Sequence, residues 1–382
     1  MLHLFNSLTG RKDPFVPKGA PVTMYVCGVT PYDTTHAGHA FTYVVFDVLN
    51  RYLRAIGHQV RYVSNITDVD DSILERARQR NLDYRVLGME QTSQHVADMK
   101  ALDVLPPDVR PKASDEMVFM TEIVERMLER KAAYTADGWV YFDIHAFPEY
   151  GQLGKLERDE MLRVSAERGA DPKDPRKKDP LDFVLWQPSL ADEPSWPAPW
   201  GYGRPGWHLE CTAMSLRYLG ESIDIHGGGA DLIYPHHESE LAQSELYTGA
   251  KPFARFWVHT GMVRLNGEKM SKSLGNLVLV RDLLRDHSAA GLRLYLLSFP
   301  YREPWDFEVE ALPAFDKLAR RVQAAAPESK QMALEDPFFA ALEDDLNTPA
   351  AIGELRQRLE QAEGGDPQAR EALAAYRQVL GV

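Results

Sequence analysis

Three features of the sequence predict an α/β protein built on a parallel sheet. These are a strand–helix–strand run near the N-terminus, a strand-then-glycine segment much later in the chain, and a long helical tail. The stretch VTMYVCG (Val22 to Gly28) is β-branched and apolar and breaks at Gly28 and Pro31, so it reads as a buried strand running into a loop. HAFTYVVFDVLNRYLRAIG then places Phe41, Val45, Val48, Leu49 and Leu53 at helical spacing and stops at Gly57. HQVRYVSNIT resumes as a strand. Strand, helix, strand is a βαβ unit, which joins parallel strands.

From Asp71 to about Arg130 the pattern is helical, interrupted by the prolines of VLPPDVRPKAS. GWVYFDIHAF alternates briefly like a strand, and residues 151–206, rich in Pro, Gly and charge, read as an irregular insertion between two halves of the sheet. IDIHGGG returns to the strand-then-glycine pattern. After Pro304 the chain reads as helical to its end, with a polar break at Gly364 to Gln368.

At 382 residues with 44% hydrophobic content, the chain can form one large core and one or two smaller modules. No apolar run reaches the roughly 18 residues that span a bilayer. The N-terminus MLHLFNSLTGRKDPF has no signal-peptide core, so the expected location is cytoplasmic. A net charge of −13 argues against indiscriminate nucleic-acid binding but leaves room for a local basic groove. The two cysteines, Cys27 and Cys211, lie far apart in sequence, and in a cytosolic setting free thiols are favoured over a disulfide.

Three stretches carry chemistry. In THAGH, at the start of the first long helix, His36 and His39 share one face beside a helix N-terminus, which attracts phosphate through its free N–H groups. In EKMSKSLGN, Lys269 and Lys272 flank small hydroxyl residues before Gly275, as in a loop that presents ammonium groups to an anion. PHHESE (Pro235 to Glu240) packs two histidines and two carboxylates into six residues and suggests a metal.

THAGH resembles the HIGH motif of class I aminoacyl-tRNA synthetases, with Ala37 in place of isoleucine, and KMSKS matches their second motif in full. MYVCGVTPYD, NITDVDD, GRPGWHLEC, DIHGGGADLIYPHHESE and GEKMSKSLGN further resemble cysteinyl-tRNA synthetase and its relative, the cysteine ligase of mycothiol biosynthesis. The resemblance implies a class I synthetase-type Rossmann (HUP) domain split by an insertion and followed by a C-terminal helical domain. The expected divisions are 1–110 and 201–262 for the two Rossmann halves, 111–200 for the insertion, 263–310 for the KMSKS region and 311–382 for the helical bundle. It also implies one zinc ion held by Cys27, Cys211, His236 and Glu240. The spacing agrees, since residues four apart project from one helical face. His237 and Glu238 are expected to point elsewhere. A metallohydrolase reading of the histidine–glutamate cluster leaves both cysteines and KMSKS unexplained.

On the same resemblance Gly28, Thr30, Thr67 and Trp207 receive cysteine. Thr42, Asn65, Gly227, Gly228, Gly229, Asp231, Val263 and Lys272 receive ATP, which enters with Mg²⁺. His36, His39, Lys269 and Lys272 stabilise charge while cysteinyl adenylate forms. A zinc-bound thiol would be selected over serine by the soft metal–sulfur bond.

Two acceptors compete, with a small amino sugar as the leading reading and tRNA(Cys) as the alternative. The chain stops at YRQVLGV, where cysteinyl-tRNA synthetases continue into an anticodon-recognition domain. ERGADP (Glu167 to Pro172) resembles the ERGGDP segment of the mycothiol ligase, with Ala170 for glycine, and PYDTTHAGHAFTYV and KKDPLDFVLW are also similar to it. These favour a small amino sugar of the glucosaminyl-inositol type. Glu240 and His226 are synthetase-like and favour tRNA(Cys). A non-catalytic binding paralogue would show eroded catalytic positions, and none is eroded. A monomer without membrane attachment is expected.

Overall fold

The computed structural model describes residues 1–32, 35–270, 275–326 and 336–382. Strands β1 (His3–Asn6) and β2 (Arg11–Pro14) form an N-terminal hairpin, and β3 (Val22–Val26) runs into the core. Helix α1 (Ala37–Ala55) starts where His36 adopts an extended N-cap conformation and its ring accepts the Gly38 N–H. It ends before Gly57, whose φ of +95° lets the chain reverse into β4 (Val60–Val63). Helices α2 (Asp71–Arg80), α3 (Tyr84–Ala101) and α4 (Met117–Glu129) follow, with Pro106, Pro107 and Pro111 in the break between the last two.

Next come β5 (Ala133–Ala136), β6 (Trp139–Phe142), α5 (Arg158–Glu167), β7 (Phe183–Gln187) and β8 (Arg204–Pro205). The four strands pair antiparallel in the order β5-β6-β7-β8. Residues 151–206 are therefore not irregular throughout, because they hold a helix and half of a sheet. That sheet closes at Pro205, past the expected boundary at residue 200. Short strands whose partners lie tens of residues away leave little local periodicity to read.

The remaining elements are α6 (Trp207–Leu219), β9 (Ile223–Gly229), α7 (Glu238–Thr248), β10 (Ala254–Thr260), β11 (Val263–Leu265), β12 (Glu268–Lys269), α8 (Val280–Asp286), α9 (Ala289–Leu296), β13 (Trp305–Asp306), α10 (Leu312–Ala325), α11 (Pro337–Glu343), α12 (Thr348–Glu363) and α13 (Pro367–Leu380). Among the described residues no helix is long and apolar enough to cross a membrane.

The central sheet, β10-β9-β3-β4, is parallel throughout. Met24 and Val26 face one side, in a core shared with α1, α9 and the C-terminal helices. Tyr25 and Cys27 face the other, against α4, α6, α7 and the insertion sheet. Helices on both faces explain why the strands are apolar on both sides. From β3 the chain leaves through α1 towards β4, while β9 pairs on the opposite flank. A crevice opens at the C-terminal ends of β3 and β9, where open parallel sheets bind ligands.

The C-terminal helices are tied to the catalytic half by Arg293, a fully buried side chain on α9. Its Nη2 donates to Asp47 Oδ2 on α1 at 2.6 Å, its Nε to the Leu380 carbonyl at 2.8 Å and its Nη1 to the Leu102 carbonyl at 2.9 Å. One guanidinium thus joins α1, the end of α3 and α13, with each of its three nitrogens making one bond.

Candidate active site

The crevice is built around the end of β3. Gly28 has no alternative there, because a Cβ would lie 1.6 Å from the Asn65 carbonyl oxygen. This contact lets the loops after β3 and β4 cross, with the Gly28 N–H donating to Asn65 Oδ1 at 2.7 Å. Asn65 Nδ2 donates to Thr67 Oγ1 at 3.1 Å, so one amide side chain sets both residues. Thr30 sits half-buried in the loop after β3.

Cys27 leaves β3 facing α6 and α7. Its sulfur lies 3.9 Å from that of Cys211 on α6 and 3.6 Å from Glu240 Oε1 on α7. His236 Nε2 lies 3.0 Å from the same Glu240 oxygen. The donor atoms of Cys27, Cys211, His236 and Glu240 all fall within 4.8 Å of one another, and all four residues are buried. Zinc bonds of about 2.0–2.3 Å in a tetrahedron imply donor–donor edges of roughly 3.3–3.8 Å, so the set fits zinc.

The electrostatics of this buried cluster suit a cation. Burial pushes the Cys27 thiol well up, helped by Cys211 and Glu240, and burial also pushes the Glu240 carboxyl well up. His236 is held well below the usual imidazole range by burial and by His208 and His226. Glu240 Oε2 has no hydrogen-bond partner among the described residues, and His226 Nε2 stands 3.3 Å away only as a potential ion pair. A dry carboxylate beside two thiols costs several kcal/mol unless a cation compensates it, and a divalent ion would hold these groups deprotonated together. The ring of His208 meets His236 through their Nδ1 atoms at 2.9 Å, leaving Nε2 free for a metal. Trp207 stacks on His236 with centroids 4.1 Å apart.

PHHESE folds differently from expectation in one respect. His237 points into the cluster, with Nε2 at 3.2 Å from the Cys27 sulfur and Nδ1 at 2.7 Å from His259 Nε2. His236 and His237 stand four and three residues before Glu240, so both adjoin it at the start of α7, at 3.0 and 3.9 Å. A second donor set, Cys27, His226, His237 and Glu240, therefore shares two members with the first. The first set presents two thiols next to Asn65 and Trp207. The second lies deeper, with His226 ringed by Tyr25, Phe253 and Trp257. Glu238 does point away: its carboxylate accepts the backbone N–H groups of Gly151, Leu153 and Gly154 at 2.8–2.9 Å.

His36 and His39 lie across the crevice at the start of α1, with ring centroids 3.9 Å apart. Each ring caps the helix through Nδ1: His36 accepts from Gly38 N–H at 3.1 Å, and His39 accepts, more weakly, from His36 N–H at 3.5 Å. Burial first, then the neighbouring His39, lowers the His36 pKa to about 2, and burial first lowers that of His39 to about 4. Both are neutral rings with Nδ1 occupied, so each carries its proton on Nε2 as a donor. Thr42, one turn on, meets Thr260 at the end of β10 with hydroxyls 2.8 Å apart.

Gly227 is occupied by the protein itself, because a Cβ there would lie 2.2 Å from the Phe46 ring. Gly228 and Gly229 finish β9, and Asp231 follows at the rim. Asp231 Oδ2 accepts from Lys269 Nζ at 3.4 Å and from Arg168 Nη2 at 3.3 Å. Arg168 belongs to ERGADP, at the end of α5, so the insertion reaches the same carboxylate as the KMSKS strand. Lys272 lies outside the described residues. Val263 is buried at the start of β11, paired with Trp305.

The sequence did not single out His226, His237, Arg168 or Glu210 as site members. Glu210 is fully buried on α6, with both carboxylate oxygens lacking a hydrogen bond among the described residues. Burial first, then Asp70, Cys211 and Asp68, pushes its pKa well up. A buried glutamate one residue before a cysteine ligand was the available signal.

Residues 15–317 match the family described as tRNA synthetases class I (C) catalytic domain. The chain is 45% identical to a cysteine–tRNA ligase of Alkalilimnicola ehrlichii, over all of this chain and 84% of that protein. It is 42% identical to one of Aquifex aeolicus, over 93% of this chain and 75% of that protein. Among solved structures, a Mycobacterium tuberculosis methionyl-tRNA synthetase with methionyl-adenylate superposes at TM-score 0.63 and 16% identity, over 95% of this chain and 88% of that one. A LeuRS–tRNA–LeuAMS complex from Agrobacterium radiobacter superposes at TM-score 0.67 and 12% identity, over 96% and 84%. Those two likenesses carry the fold. The relatives, together with a family match that spans both halves of the sheet, make the chain a member of the class I cysteinyl-tRNA synthetase family and a ligase that forms an aminoacyl adenylate.

Proposed function

We propose that this protein is a cysteine–tRNA ligase that activates cysteine with ATP·Mg²⁺ and esterifies tRNA(Cys), acting in the cytoplasm as a monomer. The observation that carries the reading is the dry convergence of Cys27, Cys211, His236 and Glu240 beside Thr67 and Trp207. Zinc bound there would supply a soft bond to the substrate thiol and lower its pKa, which a serine hydroxyl matches poorly.

The chain's own groups do the rest. Gly28, Thr30 and Thr67 line the approach to the thiol site, and Trp207 closes it over His236. Glu210, facing Thr67, suits the substrate ammonium. Thr42, Asn65, Gly228, Gly229, Asp231 and Val263 surround the nucleotide, while Gly227 serves by packing on Phe46. The cysteine carboxylate oxygen attacks the α-phosphorus and pyrophosphate leaves. The Nε2–H donors of His36 and His39, with Lys269 and Lys272, meet the charge that develops. A ribose hydroxyl of the acceptor then attacks the adenylate carbonyl and AMP departs. In this reading residues 1–110 and 201–262 form the catalytic halves, 111–200 the insertion, 263–310 the KMSKS region and 311–382 the helical bundle.

The cysteine–tRNA ligases that the chain resembles support tRNA as acceptor, against the amino sugar that the sequence favoured. Arg168, central to ERGADP, is engaged with Asp231 and so has a role within the nucleotide side of the crevice. Cysteine-dependent exchange of pyrophosphate into ATP tests activation. Parallel reactions with tRNA(Cys) and with glucosaminyl-inositol then test the acceptor: cysteine accumulating on tRNA alone is expected, and accumulation on the amino sugar alone overturns the assignment.

A further inference from the structure

Beside the crevice lies a separate cavity of about 260 Å³, between α1, β4, α3 and the loop that follows α3. Asn65 stands on the wall it shares with the crevice, whereas none of the metal-type donors lines it, nor do His36, His39, Asp231 or Lys269. Its walls are mainly apolar, with Val96, Met99 and Leu105 among them, and the hydroxyl-bearing residues Tyr62 and Ser64 also line it. This combination of an apolar lining and a few convergent polar groups is that of a small-molecule site.

The charge of the cavity is the unusual feature. The protein has 56 acidic and 43 basic residues, yet among the described residues no acidic one lines this space, while Lys100 and Arg110 both do. The two arginines buried among the described residues are paired, Arg293 with Asp47 and Arg204 with Glu193. By contrast, the Arg110 and Lys100 side chains make no hydrogen bond or ion pair with any described residue. Two unpaired cations over an apolar floor complement one kind of ligand, an anionic head on a compact organic body.

We propose that this cavity binds a small organic anion, a phosphate or carboxylate, with its head at Arg110 and Lys100 and its body on Val96, Met99 and Leu105. The site adjoins the catalytic machinery through shared walls. His95 lines the cavity and its Nδ1 lies 3.1 Å from the hydroxyl of Thr35, which opens the THAGH stretch. Tyr43 lines it too and donates from its hydroxyl to the Cys27 carbonyl at 3.1 Å. The proposal does not depend on which acceptor the enzyme uses.

The test titrates the full chain with phenyl phosphate, benzoate and inorganic phosphate by calorimetry. Saturating cysteine and a non-hydrolysable ATP analogue occupy the crevice throughout, so that the probes report only on the second site. Saturable binding of phenyl phosphate or benzoate is expected, at least tenfold tighter than inorganic phosphate, which lacks a body. Arg110→Ala and the cavity-filling Val96→Trp should each weaken it at least tenfold while leaving cysteine-dependent pyrophosphate exchange at the wild-type rate. Lys100→Ala, at an exposed position, provides a third variant should either of the others misfold. Absence of saturable binding by both organic probes, equal binding of inorganic phosphate, or unchanged binding in the folded variants overturns the site.

Discussion

His236 Nε2 and Glu240 Oε1 lie 3.0 Å apart across the turn that opens α7, with the Cys27 sulfur 3.6 Å from the same oxygen. A carboxylate so enclosed is a donor whose loss a metal would register. Disturbing groups that merely orient metal ligands costs about 10–100-fold in affinity, so Glu240→Ala is expected to lose at least that much zinc affinity. Competition with a chromogenic chelator measures it, and undiminished affinity would remove Glu240 from the donor set.

Two overlapping donor sets make opposite claims about Cys211 and His226. With the outer set in use, Cys211→Ser releases zinc and abolishes cysteine activation together, while His226→Gln retains the metal. Zinc content by elemental analysis of the purified variants distinguishes them, and the reverse pattern would move the ion to the deeper set.

Gly28→Ala places a Cβ where the Asn65 carbonyl already stands. The strand ends must separate, at a cost of about 1–3 kcal/mol typical of overpacking, and the loop that follows Cys27 moves with them. Urea denaturation should show the loss of stability, accompanied by a fall in cysteine-dependent exchange.

Arg293 holds Asp47, Leu102 and Leu380 from one buried position. Arg293→Met strands two buried carbonyls and removes one partner of Asp47, which keeps Arg51 at 2.8 Å. A destabilisation of about 3 kcal/mol or more is expected, because breaking a buried pair leaves uncompensated polar groups. A lower denaturation midpoint with unchanged zinc content would separate this effect from damage at the site.

Burial lowers the pKa of His39 and of His95 to about 4, from an ordinary value of 6.5. Between those values the unfolded chain binds more protons than the folded one, so the stability these neutral rings contribute is complete above about pH 6.5 and is lost as pH falls towards 4. Unfolding followed across pH 4–8 should show this slope, reduced in His95→Gln. A flat profile would mean that the rings take up protons alike in the folded and unfolded chain.

Much of this was legible from the chain. The spacing of Phe41, Val45, Val48, Leu49 and Leu53 located α1 because a helix facing a sheet must repeat its apolar residues every turn. THAGH and the PHHESE turn announced anion and metal chemistry for similar local reasons. The strands β7 and β8 were not legible, since their pairing with β6 is non-local. His237 was misread because only the four-residue spacing to Glu240 was weighed, whereas on a helix the residue three before Glu240 adjoins it as well. That Gly227 must also lack a Cβ to leave room for the Phe46 ring was not legible, because Phe46 comes from a distant helix.

From residue type and short-range spacing the sequence by itself predicted the first βαβ unit, the strand-then-glycine return and the helical tail, while the resemblance of its motifs implied the family and the set Cys27, Cys211, His236 and Glu240. Tertiary structure alone decided that Cys27 and Cys211 meet, that His226 and His237 offer a second set, that Arg168 and Lys269 share Asp231, and that Arg110 and Lys100 face a cavity without a counter-charge. Those relationships join segments tens to hundreds of residues apart. They exist only once the parallel sheet brings the ends of β3, β4 and β9 to one edge and helices close over them.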